Sequence, residues 1–80
     1  MADGMAFIRT PPHQLEAEQA LLGAILLDGE AIVAVSDFVR PDDFYRPAHG
    51  KIFAAMLAVA ESGEPIDAVT VAAELKQRGA

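Results

Sequence analysis

The stretch RPDDFYRPAHGKIF, residues 40–53, packs acids, bases, aromatics and a histidine that could do chemistry into a few positions. It holds the adjacent acids Asp42 and Asp43, the aromatic pair Phe44 and Tyr45, Arg40 and Arg46, and His49, punctuated by Pro41 and Pro47. Paired carboxylates beside an imidazole can hold a divalent cation, and a metal-dependent hydrolase built on His49, Asp42 and Asp43 is the catalytic reading. The spacing argues against it. On a helix, a second ligand to a His49-bound metal would stand three or four residues on, and those positions are Ile52 and Phe53. The other histidine, His13, is distant in sequence. Asp42 and Asp43 have no further acids at cation-loop spacing. Adjacent acids at the start of a helical turn have a simpler role, accepting hydrogen bonds from N–H groups that the turn leaves free.

No other motif supplies a reaction. The phosphate loop G-x-x-x-x-G-K-[ST], the dinucleotide fingerprint G-x-G-x-x-G, the H-E-x-x-H zinc motif, the EF-hand loop and the serine nucleophile elbow are all missing. There is no cysteine, which removes disulfides and thiolate metal sites and suits a reducing compartment. The residues therefore predict no catalytic group, no metal site and no bound cofactor. The 40–53 stretch reads as a joint between two helices. Each proline resets the chain and the acids cap the turn. Phe44 plugs the core between the second and third helices. Tyr45 either packs with its hydroxyl outward or contacts a neighbouring molecule.

The joint needs elements on both sides. Upstream, residues 13–27 predict a helix with Leu15, Leu22, Ile25 and Leu26 near one face and Leu21 at its edge. Glu16 and Glu18 fall in its early turns, where the helix dipole favours acids. Gly23 lies mid-helix at a cost of about 1 kcal/mol against alanine. Close approach of another helix would explain it; the alternative is that the cost is tolerated. Asp28-Gly29-Glu30 is a turn, and residues 30–39 predict a second helix with Ile32, Val35 and Val39 on one side. Its β-branched residues lower its propensity, so packing must hold it. Arg40 ends it, because a residue before proline avoids the α region.

Downstream, Pro47 opens a third helix at a position where its missing N–H costs nothing. Ile52, Phe53, Met56, Leu57 and Ala60 form its broad apolar face. Gly63 and Pro65 stop it. Asp67 is the natural N-cap of a fourth helix carrying Val71, Ala72 and Leu75, with Lys76 and Arg78 at its end and Gly79 as its stop. Nothing alternates with period two. The expected fold is all-α, a small orthogonal bundle of about four helices over residues 13–80, preceded by a flexible arm at 1–12 whose Phe7 and Ile8 could pack on a neighbour. The sequence ends one residue after a helix stop, which predicts an incomplete core.

Composition narrows the partners. Eighty residues make one domain, with roughly 60% of the unfolded surface buried. Six Lys and Arg face twelve Asp and Glu, for a net charge of −6. Counterion release on nucleic acid needs a basic stripe. Arg40, Arg46 and Lys51 come nearest, diluted by Asp42 and Asp43, so no direct nucleic-acid binding is expected. The acids would suit a protein with a basic face or simply a solvated surface. No apolar run spans a bilayer and the N-terminus is no secretory signal, so no membrane contact and a cytoplasmic location are expected.

Three segments, PPHQLEAEQALLGAILLD, DFYRPAHGKIFAAM and GEPIDAVTVAAEL, resemble the N-terminal domain of the bacterial replicative DNA helicases, the DnaB family, in the family's order and spacing from Pro11 to Leu75. The resemblance implies a collar domain in a hexameric ring that moves 5′→3′ on single-stranded DNA. Its implied partners are other helicase subunits, the primase and, in some lineages, a helicase loader, at bacterial replication forks. ATP and Mg²⁺ are implied only for the family's ATPase domain, which these residues lack. The family's helical hairpin, which follows the equivalent of Gly79, is also missing, so no nucleotide, DNA or primase contact carries over to a position here. Leu15, Leu22, Gly23, Ile25, Leu26, Phe44, Tyr45, Pro47, His49, Ile52, Phe53, Met56, Asp67 and Leu75 are the expected core or fold-signature residues, and the resemblance implies that the joint at Asp43 to His49 is a signature of the domain. A stand-alone helical regulator that binds helicase or primase is the alternative.

Overall fold

A computed structural model describes residues 12–79, with side chains from Gln14 onward. The expected arm, apart from residue 12, and the packing of Phe7 and Ile8 lie outside the described residues, as do the side chain of His13 and Ala80. Among the described residues there are four α-helices, one 3₁₀ turn and no strand: α1 Pro12–Leu27, α2 Ala31–Val35, the 3₁₀ turn Pro41–Asp43, α3 Pro47–Glu61 and α4 Ala68–Arg78. The central element is α3, which packs against all the others.

The inward stripe of α1 differs from the one expected. Leu22 and Ile25 are buried and Leu15 is half-buried. The stripe runs 15, 18, 22, 25, so its second member is an acid, Glu18, which is 9% exposed. Leu26 was expected on the core face but sits at the rim, 37% exposed, because it lies about 100° around the helix from Ile25. Dipole stabilisation does not explain Glu18, which lies beyond the first turn. The close approach expected at Gly23 is absent, since a Cβ there would meet nothing within 4 Å.

The second helix is shorter than predicted. It ends at Val35 rather than 39, and a turn follows in which the Phe38 and Val39 N–H groups both donate to the Val35 carbonyl. The Ser36 hydroxyl donates to the Val33 carbonyl at 3.0 Å, the local side-chain bonding that makes Ser and Asp poor helix-interior residues. Ile32 is buried, while Phe38 is 84% exposed.

The core gathers on α3, where Phe53, Ala55 and Met56 are fully buried and Val59 nearly so. Ile52 is half-buried beside them. Gly63, at φ +83°, takes the left-handed conformation that ends α3, with its N–H on the Ala60 carbonyl and that of Glu64 on Val59. Asp67 caps α4 by accepting from the Thr70 N–H at 2.9 Å, and the Thr70 hydroxyl accepts from the Asp67 N–H in return. Val71 is buried and Leu75 half-buried on the side facing α3; Ala72, read from the sequence into the same stripe, is exposed. Gly79 closes α4 at φ +79°.

Candidate functional site at the helix joint

The 40–53 stretch is the joint between the α1–α2 half and α3. Arg40 is extended, and Pro41 starts the 3₁₀ turn. Asp43 accepts from the Arg40 N–H at 2.8 Å, so this acid satisfies a backbone donor. Asp42 is exposed. Phe44 turns inward, 9% exposed, and its ring meets that of Phe53 at a centroid distance of 5.3 Å and an interplanar angle of 40°. Such tilted pairs add about 0.5–1.5 kcal/mol beyond burial. Pro47 is the first residue of α3.

His49 and Glu18, 31 residues apart, meet across the joint. The His49 Nδ1 lies 2.8 Å from the Glu18 Oε1, with both side chains about 10% exposed. The Tyr45 N–H donates to Oε2 and the Arg46 N–H to Oε1. Burial pushes the Glu18 carboxyl up, but the hydrogen bond from His49, those from the Tyr45 and Arg46 N–H groups, and attraction to the His49 ring outweigh it. Its pKa is held below the ordinary value. An ionised carboxylate only accepts, so Nδ1 carries the proton. Gly50 completes the joint: a Cβ there would stand 2.6 Å from the Pro41 carbonyl oxygen. Only glycine lets α3 come this close to the turn.

Beside this network, a cavity of about 420 Å³ opens between α1 and the 3₁₀ turn, lined by Gln14, Ala17, Leu21, Val39, Asp43 and Phe44 with Glu18 at its edge. Tyr45, 55% exposed, stands outside the core, and so does Phe38.

The chemistry of this arrangement is positional. Glu18 spends its oxygens on three donors, and Asp43 on a cap. The Asp42, Asp43 and His49 set does not assemble, and among the described residues no group of three His, Cys, Asp or Glu side chains is placed to hold a metal ion. No helix among them is long and apolar enough to cross a membrane. Sequence reasoning treated His49 as partnerless and missed Glu18 and Gly50. The signal for Glu18 was its place three residues after Leu15 and four before Leu22. Nothing local marked Gly50, because its constraint comes from Pro41.

The fold and joint define a small all-α domain organised on one central helix and latched by a buried carboxylate. Residues 10–80 match the family model described as the DnaB-like helicase N terminal domain, and the chain belongs to that family. It is 61% identical over 67 residues to the replicative DNA helicase DnaB of Geobacillus stearothermophilus, covering 84% of this chain and 15% of that protein. It is 53% identical over 73 residues to that of Mycobacterium leprae, covering 91% of this chain and 12% of that protein. The crystal structure of the N-terminal domain of DnaB helicase from Mycobacterium tuberculosis superposes with a TM-score of 0.79 at 54% identity, covering 88% of this chain and 49% of that one. The chain thus matches less than a sixth of the length of these helicases and about half of the crystallised domain.

Proposed function

We propose that these residues are the globular part of a replicative helicase's N-terminal domain, an interaction module that supports assembly of a hexameric ring and association with primase. The observation that carries the reading is family membership over residues 10–80. The joint agrees with it, since its buried polar groups are spent on holding the fold. Exposed Phe38 and Tyr45 are of the kinds enriched at protein interfaces. The longer protein would unwind DNA 5′→3′ in the cytoplasm at replication forks, with ATP and Mg²⁺ serving its ATPase domain. Other helicase subunits, primase and, in some lineages, a loader would be the partners.

The test is made in the full-length helicase that carries this segment. Deleting residues 12–79 is expected to abolish hexamers in sedimentation velocity and to remove stimulation of primase. Normal hexamers with undiminished primase stimulation would overturn the reading.

A further inference from the structure

A second concave surface lies at the other end of α3, where the α1–α2 turn meets the α3–α4 connection. Gly29 and Ile66 hold these loops together: a Cβ on Gly29 would stand 3.0 Å from the Ile66 Cβ. Between them is a cleft of about 370 Å³ with Ile32, Ala60, Pro65 and Ile66 in its walls. Val33 stands at its edge, 71% exposed, and Glu30 and Glu64 also line it.

Among the described residues, the charged side chains that line this cleft are acids, Glu30 and Glu64. Residues 10–39 contain no Lys or Arg, nor do residues 52–75, and these two stretches supply both loops. Asp28, Glu30, Glu61 and Glu64 all fall there, exposed, and no ion pair among the described residues involves them. Lys51 stands on α3 nine residues before Ala60 in the cleft wall, about 13 Å along the helix, and Arg40 and Arg46 lie at the joint near the opposite end of α3. An apolar cleft with a purely acidic rim repels nucleic acid and favours a cationic segment with an aliphatic anchor.

We propose that this cleft docks a basic amphipathic segment of a protein partner, with an aliphatic side chain in the cleft and Lys or Arg groups against Glu30 and Glu64. The proposal goes beyond the assembly role and does not require it: the cleft has its own lining, which does not include the exposed Phe38 and Tyr45.

The experiment titrates the ¹⁵N-labelled chain with three synthetic peptides of equal length: Lys/Leu amphipathic, Glu/Leu amphipathic, and Lys/Ser without aliphatic groups. The Lys/Leu peptide is expected to shift the Gly29, Val33, Gly63 and Glu64 amide signals with saturation below about 1 mM. The other two should bind at least about tenfold more weakly, the effect of losing either the charge match or the anchor. Glu30→Gln and Glu64→Gln, both exposed, should each weaken Lys/Leu binding by about two- to fivefold, the range for exposed charge pairs. Val33→Ser should weaken it without altering the melting temperature. Shifts centred on the joint, equal binding of Lys/Leu and Lys/Ser, or indifference to Val33→Ser would overturn the proposal. Self-association abolished by the Glu30→Gln, Glu64→Gln pair would also overturn it, making the cleft a contact between copies. Full-length helicase carrying that pair should still form hexamers, which separates failure here from failure of the assembly reading.

Discussion

Two glycines in helices should respond to alanine with opposite signs. At Gly50 the new Cβ would lie 2.6 Å from the Pro41 carbonyl oxygen. Comfortable carbon–oxygen approach begins at roughly 3.3 Å, so the turn must retreat by about 0.7 Å. That turn is not free to move. Three residues on, Phe44 packs against Phe53, and the Tyr45 and Arg46 N–H groups are fixed on Glu18. Overpacking of this kind costs about 1–3 kcal/mol; the propensity gain of alanine over glycine, about 1 kcal/mol, offsets part of it, but displaced hydrogen bonds add to the loss. A net loss of about 1–3 kcal/mol is expected for Gly50→Ala. With a urea m-value of about 1 kcal/mol/M for so small a domain, the unfolding midpoint should fall by about 1–3 M. At Gly23 the Cβ meets nothing within 4 Å and only the propensity term remains, so Gly23→Ala should raise stability by about 0.5–1 kcal/mol. Urea unfolding followed by circular dichroism measures both. A Gly50→Ala midpoint at or above that of the unsubstituted chain would refute the close-approach argument, and a lowered midpoint for Gly23→Ala would refute the open-space one.

The latch should be sensitive to acid. Because the folded Glu18 carboxyl is held below its ordinary value of 4.5, its contribution is present above the unfolded pKa and is lost as pH falls through the folded one. Urea midpoints taken from pH 6 downward should therefore fall below pH about 4.5, and Glu18→Gln should flatten that fall while lowering stability at neutral pH; an equal acid slope in the two proteins would remove Glu18 as the cause. Phe53→Ala, at a fully buried site, should cost about 3–5 kcal/mol, enough to unfold a domain whose whole stability is of order 4–12 kcal/mol; an unchanged thermal melt would contradict its burial. Asp67→Ala should cost about 1 kcal/mol through loss of the cap, seen as a melting temperature lower by about 4–8 °C; no shift would mean the cap adds nothing.

What the sequence revealed and what it hid divide along one physical line. Signals that depend on neighbours in the chain were legible. The left-handed stops at Gly63 and Gly79, the Asp67 cap, the proline opening α3 and the apolar face of α3 each follow from residues within one or two turns. The end of α2 is hidden in the sequence because Arg40-Pro41 is the stronger local stop, whereas the helix gives way earlier, where the Ser36 hydroxyl bonds back to the Val33 carbonyl. Features that depend on chain separation were not legible in the same way. Gly50 has its meaning only when Pro41 is beside it, and Gly23 lacks the meaning assigned to it because no helix arrives. Glu18 is the instructive case, since its position in the 15, 18, 22, 25 stripe was available from periodicity alone. An acid on a core stripe must be matched by donors elsewhere, and the chain supplied them 27 to 31 residues later in Tyr45, Arg46 and His49. A lone histidine and a misplaced acid, each bland alone, are together the specification of how α1 meets α3.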